Sequence, residues 1–362
     1  MKRILIAGGG TGGHLMPALA IATALRELAP DIEPVLVGAE RGVEARILPA
    51  KPFRYHLLPA EPIYRRDWWR NVRWPLVLGR LLTRVGQLFD AERPVAVLGT
   101  GGYGSAPVVW SAARRGIPTA IQEQNAYPGL ANRWLARRVD HIYLGLPEAR
   151  PLLRPGASTA AFDTGNPIVP PRWDRADAAR RRFGLAAGRR VLLVTGGSQG
   201  ARALNAAVAG WVKSGLPADL DLLWITGPAM YEEFCAHQRA PQVQVIPFLD
   251  SMADAYAIAD LVVSRAGMIT IAELCAWGLP SILVPLPTAA ADHQRHNARA
   301  MRDAGAAVLL EQSALSADRL RHEVLGLLDD TMWRQRMAAV ASARGKPQAA
   351  AEIVAHLLTL FA

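Results

Sequence analysis

The stretch SRAGMITIAELCAWGLP, Ser264 to Pro280, places a carboxylate one turn into a helix that starts at a glycine-containing turn. A β-rich run, Leu261-Val262-Val263, precedes it. The helix is expected from about Met268 until Gly278 and Pro280 stop it, and Ser281 to Pro285 is again β-like. A strand, turn, helix, strand unit of this kind turns at the carboxyl end of a parallel sheet, where ligands bind. The helix start offers unpaired N–H groups and the positive end of a dipole, which suits a diphosphate. Glu273 offers two acceptor oxygens that match neighbouring ribose hydroxyls; the plainer reading is that it only complements the helix dipole.

Three more runs carry chemistry. After the strand ILIA comes GGGTGGH, Gly8 to His14, then a helix through Leu15, Leu19, Ala22 and Leu25. Gly8, Gly10 and Gly13 formally satisfy the dinucleotide fingerprint, but the acidic residue expected to end the second strand is missing. Val35-Leu36-Val37 runs instead into Gly38-Ala39, with Glu40 further on. The glycines let something come close, with N–H groups aimed at an anion. His14 is suited to take a proton from a hydroxyl; alternatively it is a turn or capping residue. The plan restarts at Arg190, with strand VLLVT and loop Gly196 to Arg202, where Ser198 replaces a fingerprint glycine and itself suits a phosphate. Thr288 to Asn297, TAAADHQRHN, is a polar loop placed to offer Asp292, His293 and Gln294 to sugar hydroxyls. Asp219-Leu220-Asp221 matches a DxD metal motif but reads as a solvated strand entry, and Cys235-Ala236-His237 lacks a second ligand pair, so no metal is expected.

These runs need sheets to hold them. At 362 residues and 51% hydrophobic the chain has enough apolar material for two cores. Strands at 95–98, 118–121 and 141–144 complete a first doubly wound α/β domain, with the Gly-rich loop Gly99 to Pro107 inside it. Pro167 to Gly188 reads as a linker and a solvated helix. Strands near 222–225, 244–246, 261–263 and 282–284 complete a second sheet, and a last helix spans about Gln348 to Leu360. The two cysteines are too few for a disulfide framework, which points to a reducing compartment. The apolar run after Met1-Lys2-Arg3 is too short for a signal peptide, and no run reaches the length of a membrane span. A net charge of +10 favours an anionic partner, and no nucleic-acid module is recognisable, so no nucleic acid is expected. Residues 63–89 combine six arginines and three tryptophans with Leu76, Leu78, Leu81, Leu82, Val85 and Leu88 at helical spacing. That pattern fits either an anionic membrane surface or a core-facing helix with a basic outer face.

GGGTGGH (8–14), GTGGYGSAP (99–107), EQN (123–125), GNP (165–167), GGSQGAR (196–202) and RAG with the later Thr, Glu, DHQ and Asn (265–297) together resemble the MurG family of glycosyltransferases. The resemblance covers essentially the whole chain. It implies the GT-B fold, two Rossmann-like domains facing across a cleft, with an acceptor and membrane domain over 1–165 plus 346–362 and a UDP-sugar domain over 166–345. It implies transfer of N-acetylglucosamine from UDP-N-acetylglucosamine to undecaprenyl-diphosphate-linked muramyl-pentapeptide, with inversion, no cofactor, and a peripheral place on the cytoplasmic face of the membrane.

Carried over by position, the resemblance puts Ser198, Gln199 and Gly200 at the diphosphate, with Thr270 near it and Arg265, Gly267 and Met268 beside the same turn. Glu273 falls at the ribose, Ile246 and Phe248 at the uracil, and His293 and Gln294 at the sugar. Asn125 and the loop Thr11, Gly12, Gly13 face the sugar from the first domain. His14 and Glu273 are the catalytic candidates, and Gly102 and Tyr103 lie on the acceptor side. The sequence departs from the family pattern at Gln122, where His is common, and at Val169, where Arg is common and Arg172 is the candidate substitute. The rivals are a diacylglycerol glycosyltransferase or nucleotide-sugar epimerase of the same fold, an NAD-dependent oxidoreductase, and a non-catalytic nucleotide sensor at a membrane.

Overall fold

The computed structural model describes residues 1–61, 68–186 and 188–361. The chain divides into two compact units, Met1–Val169 with Gln348–Ala362, and Pro170–Pro347. Each is built on one parallel sheet.

The first unit holds β1 (Lys2–Gly8), β2 (Ile32–Ala39), β3 (Arg54–Leu58), β4 (Ala96–Gly101), β5 (Thr119–Glu123), β6 (His141–Leu144) and β7 (Ala160–Phe162). They lie in the order β3-β2-β1-β4-β5-β6-β7, every neighbouring pair parallel. Alternation along β1 divides its side chains between two cores. Ile4 and Ile6 meet the helices Gly12–Leu28 and Ala349–Leu358, while Leu5 and Ala7 meet Leu81, Val85, Val108 and Val109 on the other face. The order reverses between β1 and β4, so the loops leaving those two strands open a crevice at the carboxyl edge.

The second unit repeats this with β8 (Arg190–Thr195), β9 (Leu220–Ile225), β10 (Val243–Ile246), β11 (Leu261–Ser264), β12 (Ser281–Leu283) and β13 (Val308–Leu309), in the order β10-β9-β8-β11-β12-β13. Its reversal point lies between β8 and β11. The helix Met268–Trp277 ends at Gly278 in the left-handed conformation, as the sequence predicts. Two helices the sequence reading did not anticipate, Ala317–Asp329 and Thr331–Arg344, are capped by Ser316 and Asp330. Their side chains accept from the N–H groups of Arg319 and Trp333 at 3.1 and 2.8 Å.

Two expectations change. The helix expected to be solvated after Pro167, found at Ala176–Phe183, buries Ala179 and Phe183, and Arg175 just before it and Arg182 in its last turn both pair with the buried Asp254. In the 63–89 segment, residues 63–67 lie outside the described residues. In the helix Trp74–Glu92, Leu81, Val85, Leu88 and Phe89 are core, as the core-facing reading expects, and Leu76 at its start is exposed. The DxD run, expected to be solvated, is so only at Asp219, in the turn before β9, which pairs with Arg190 at 2.8 Å; Asp221 is fully buried inside β9 and accepts from Arg189 at 2.7 Å. No metal-binding cluster exists among the described residues.

Ile353, fully buried against β1, is the anchor of the C-terminal helix. Ile353→Ala is expected to lower stability by about 2–5 kcal/mol, read as a shift of the urea midpoint without a change in slope.

Candidate active site

In the first unit two glycine-rich loops meet backbone to backbone. The N–H of Gly9 donates to the carbonyl of Gly101 at 3.3 Å, and the Thr100 hydroxyl donates to the carbonyl of His14 at 2.9 Å. Gly101 has φ +98°, and a Cβ there would lie 2.7 Å from the His14 ring, so only glycine lets β4 pass under that imidazole. Thr11 Oγ1 lies 3.1 Å from His14 Nδ1. Tyr103 stands against Gly10, and Gly102 against Gly9. Thr11, Gly12, Gly13, His14, Gly102 and Tyr103 are therefore brought together at the carboxyl ends of β1 and β4, with His14 half-buried and Thr11 to Gly13 exposed. The amide of Gly10, expected to face an anion, instead donates to the Glu44 carboxylate at 2.9 Å. The amides open to a ligand are those of Gly12 and Gly13, at the uncapped start of the helix Gly12–Leu28.

Asn125 follows β5 in the same unit. Its N–H and side-chain amide both donate to Glu123 Oε1, at 2.9 and 3.2 Å, while Glu123 Oε2 accepts from the N–H of Gly129 and from Asn132. Burial pushes the Glu123 carboxyl above the usual range, and these donors oppose it.

In the second unit the predicted residues lie at the carboxyl edge on the loops that leave β8, β10, β11 and β12. Ser198 and Gln199 form the exposed tip of a turn that the N–H of Gly200 closes onto the carbonyl of Gly197 at 2.9 Å. Gly200 (φ +73°) passes against the carbonyl of Thr226, with no room for a Cβ. Gly267 holds the N-cap position of the helix that Met268 begins, and no side chain caps that start. Met268 is buried, and Thr270 follows half-buried.

Arg265 does not point into open space. Its guanidinium donates to the carbonyls of Val284 and Pro285, both at 3.1 Å, and to Gln312 at 2.6 Å, and burial lowers its pKa. It ties the loop after β11 to those after β12 and β13. Asn297 does the same from the other side, donating to the carbonyl of Ala266 at 3.3 Å.

Gln294 accepts the N–H of Leu286 at 3.0 Å, which leaves its amide nitrogen without a partner among the described residues. His293 Nδ1 lies 2.7 Å from the carbonyl of Ala290, which places the proton on Nδ1 and the ring's acceptor on Nε2. Ile246, half-buried, and the exposed Phe248 close the far end of the edge beside β10. Burial pushes the Glu273 carboxyl up to about 7; the Tyr256 hydroxyl, donating to Oε2 at 2.9 Å, pulls against that rise. An uncapped helix start, an exposed serine turn and a carboxylate poised near neutrality together suit a nucleotide diphosphate and its ribose.

Residues 4–144 match the glycosyltransferase family 28 N-terminal domain and residues 191–353 the corresponding C-terminal domain. The chain is similar to the UDP-N-acetylglucosamine–N-acetylmuramyl-(pentapeptide) pyrophosphoryl-undecaprenol N-acetylglucosamine transferases of Salinibacter ruber and Chlorobaculum parvum. The identities are 41% and 40%, each over 99% of this chain and over 96% and 99% of theirs. The crystal structure of MurG from Acinetobacter baumannii superposes with a TM-score of 0.79 at 27% identity, over 99% of this chain and all of that one. The chain belongs to the MurG family. Its two parallel-sheet, Rossmann-like units are the GT-B fold expected of that family.

At its two departures from the MurG pattern the chain has different solutions. Gln122 is fully buried, donating to Asn166 at 2.9 Å and accepting from Gln124, which also donates to the carbonyl of Thr100 at 2.6 Å. An amide relay, not an ionisable ring, ties the ends of β4 and β5 to the GNP turn. Val169 is exposed, and Arg172 is exposed with Asp174 at 3.5 Å.

Sequence reasoning missed Glu44 and Tyr256 and gave Glu123 no role. Glu44 opens the four-residue helix Glu44–Ile47, two positions after Gly42, and carried no motif. Tyr256 lies seventeen positions before its partner Glu273, a spacing that only the fold closes. Removing the Tyr256 hydroxyl takes away the donor that favours the ionised carboxyl. Tyr256→Phe is therefore expected to raise the Glu273 pKa above about 7, followed by NMR titration of glutamate side-chain carbons with Glu273→Gln as the assignment control.

Proposed function

We propose that the chain transfers N-acetylglucosamine from UDP-N-acetylglucosamine to the 4-hydroxyl of lipid-diphosphate-linked N-acetylmuramyl-pentapeptide. The observation that carries this is the pairing of Glu273 with an open helix start at one sheet edge, in a chain similar over its whole length to enzymes named for that reaction. The second unit takes the nucleotide sugar. Ser198, Gln199 and the first-turn amides of Met268–Trp277 meet the diphosphate, Glu273 the ribose hydroxyls, Ile246 and Phe248 the base, and His293 Nε2 and the Gln294 amide the sugar hydroxyls. The first unit takes the acceptor at Thr11 to His14, Gly102 and Tyr103, with Asn125 at the sugar.

The reaction is a displacement with inversion. The acceptor oxygen bonds to the anomeric carbon, the bond to the diphosphate breaks, and the proton passes to His14. The tautomer of His14 that donates from Nδ1 to Thr11 carries its basic lone pair on Nε2. Charge that builds on the departing diphosphate is met by preoriented amides that need not reorganise as it forms.

The test is UDP release with and without a short-chain acceptor analogue. Release is expected to require the acceptor and to collapse in Glu273→Ala. UDP bound without acceptor-dependent release would overturn the transferase reading in favour of a sensor. Since an acid ionises above its pKa and the ionised form accepts from both hydroxyls, UDP affinity should rise up to about tenfold from pH 6 to 8, centred near 7. In Glu273→Gln it should be flat.

The membrane reading is supported by the outer helix layer of the first unit. Trp69, Val72 and Leu76 are 58%, 73% and 72% exposed, and Arg73, Arg80 and Arg84 lie exposed among them. The helices Trp74–Glu92, Ser105–Arg114 and Leu130–Leu135 pack in succession. Beside the last of them a groove of about 670 Å³ combines Leu130, Trp134 and Leu152 with Arg133 and Arg137. No helix among the described residues is long and apolar enough to cross a membrane. Apolar tips set among arginines suit shallow insertion at an anionic, cytoplasm-facing lipid surface. Trp69→Ser with Leu76→Ser is expected to weaken sedimentation with phosphatidylglycerol vesicles at least tenfold while turnover of a short-chain acceptor persists; unchanged sedimentation would remove this surface from contention.

A further inference from the structure

Glu44 is fully buried, and no lysine, arginine or histidine among the described residues pairs with it. Its carboxylate is held by backbone donors instead. Oε1 accepts the N–H of Ala39 at 2.8 Å and that of Gly10 at 2.9 Å, and Oε2 accepts the same Gly10 N–H at 3.0 Å. Three glycines enclose it without room for a Cβ: one at Gly9 would lie 2.0 Å from Oε1, one at Gly38 2.4 Å from Cγ, and one at Gly42 2.2 Å from both oxygens. Three close glycine contacts from the ends of β1 and β2 make a cavity shaped to one carboxylate. Burying a charge without a counter-charge is costly unless donors replace its water, and here they do. An apolar side chain would fill the space but strand both N–H groups.

In a dinucleotide-binding sheet the corner after β1 holds a phosphate on its loop amides, and the acid ending the second strand reaches outward to a ribose. Here the acid that follows β2 turns inward and takes the Gly10 amide. The equivalent crossing in the second unit, Gly200 against Thr226 and Gly227, is backbone against backbone.

We infer that Glu44 is a built-in anion that occupies the phosphate corner of the first sheet and, by pinning Gly10 to Ala39, fixes the loop that carries Thr11 and His14. It is a positioning residue for the acceptor side, and it closes this unit's fingerprint loop to a nucleotide diphosphate. This rests on the transferase reading for its kinetic consequence but not for the placement of His14.

The experiment compares Glu44→Ala and Glu44→Gln with the wild-type full chain. Glu44→Ala should lose about 100-fold in kcat/KM for the short-chain acceptor, as expected when a reacting group is displaced by about an ångström, while UDP affinity stays within about twofold. Acetate should restore part of that loss and chloride at equal ionic strength should not, because only the carboxylate matches the cradle. Glu44→Gln, which keeps the volume but offers one acceptor oxygen, should fall between and resist rescue. Carbethoxylation of His14, followed by mass spectrometry, reads the loop without turnover and should change in Glu44→Ala and recover with acetate. A folded Glu44→Ala with unchanged acceptor kinetics and unchanged His14 reactivity, or one rescued equally by chloride, would overturn the inference. If Glu44→Ala does not fold, wild-type kinetics and His14 reactivity in Glu44→Gln would do the same. Absence of transfer by the wild type would instead count against the transferase reading, leaving His14 reactivity to decide the role of Glu44.

Discussion

Both sheets are wholly parallel, and that constraint shapes everything else in the molecule. A parallel sheet needs crossover helices on both faces, so its strands are buried on either side and its usable backbone groups are confined to the loops at one edge. Where strand order reverses, the loops diverge and leave a crevice, and this happens once in each unit, at β1/β4 and at β8/β11. The loops following these strands are where helix starts and glycine turns leave amides without sheet partners.

The three acids at these edges show how differently one functional group can be used. Glu44 is spent on the fold, bonded only to backbone N–H groups. Glu123 divides its oxygens between the Asn125 turn and the start of the helix Leu130–Leu135. Glu273 has one partner among the described residues, the Tyr256 phenol, which donates to Oε2. The more completely a carboxylate is satisfied by the protein, the less it has for a ligand.

Much of the plan was legible because it depends on local pattern. The opening and the restart at Arg190 share a strand, a glycine turn and a helix, and the helix Met268–Trp277 carried its own stop at Gly278. Less was legible where one face of an element decides its fate. β3 is largely half-exposed or exposed and β13 is two residues long, too weak to read as strands. The Gln122, Gln124 and Asn166 relay joins residues up to 44 positions apart, and nothing in their spacing announces it. Arg265 and Met268 show the opposite limit. Their motif marks them as site residues, but the fold commits one guanidinium to carbonyls and one thioether to the core.

The helix Ala349–Leu358 covers a face of the first sheet, although the whole second unit intervenes in the chain. During synthesis the first sheet therefore emerges with this face only partly covered, by the helix Gly12–Leu28, and the rest of the cover over Ile4 and Ile6 is a helix still to be translated. The second unit has all its parts in one continuous segment and is free to mature first, a reversal of the order in which the two leave the ribosome. The nascent chain accordingly has its longest window of exposed apolar surface on the unit made earliest, which is where a chaperone would have most to hold.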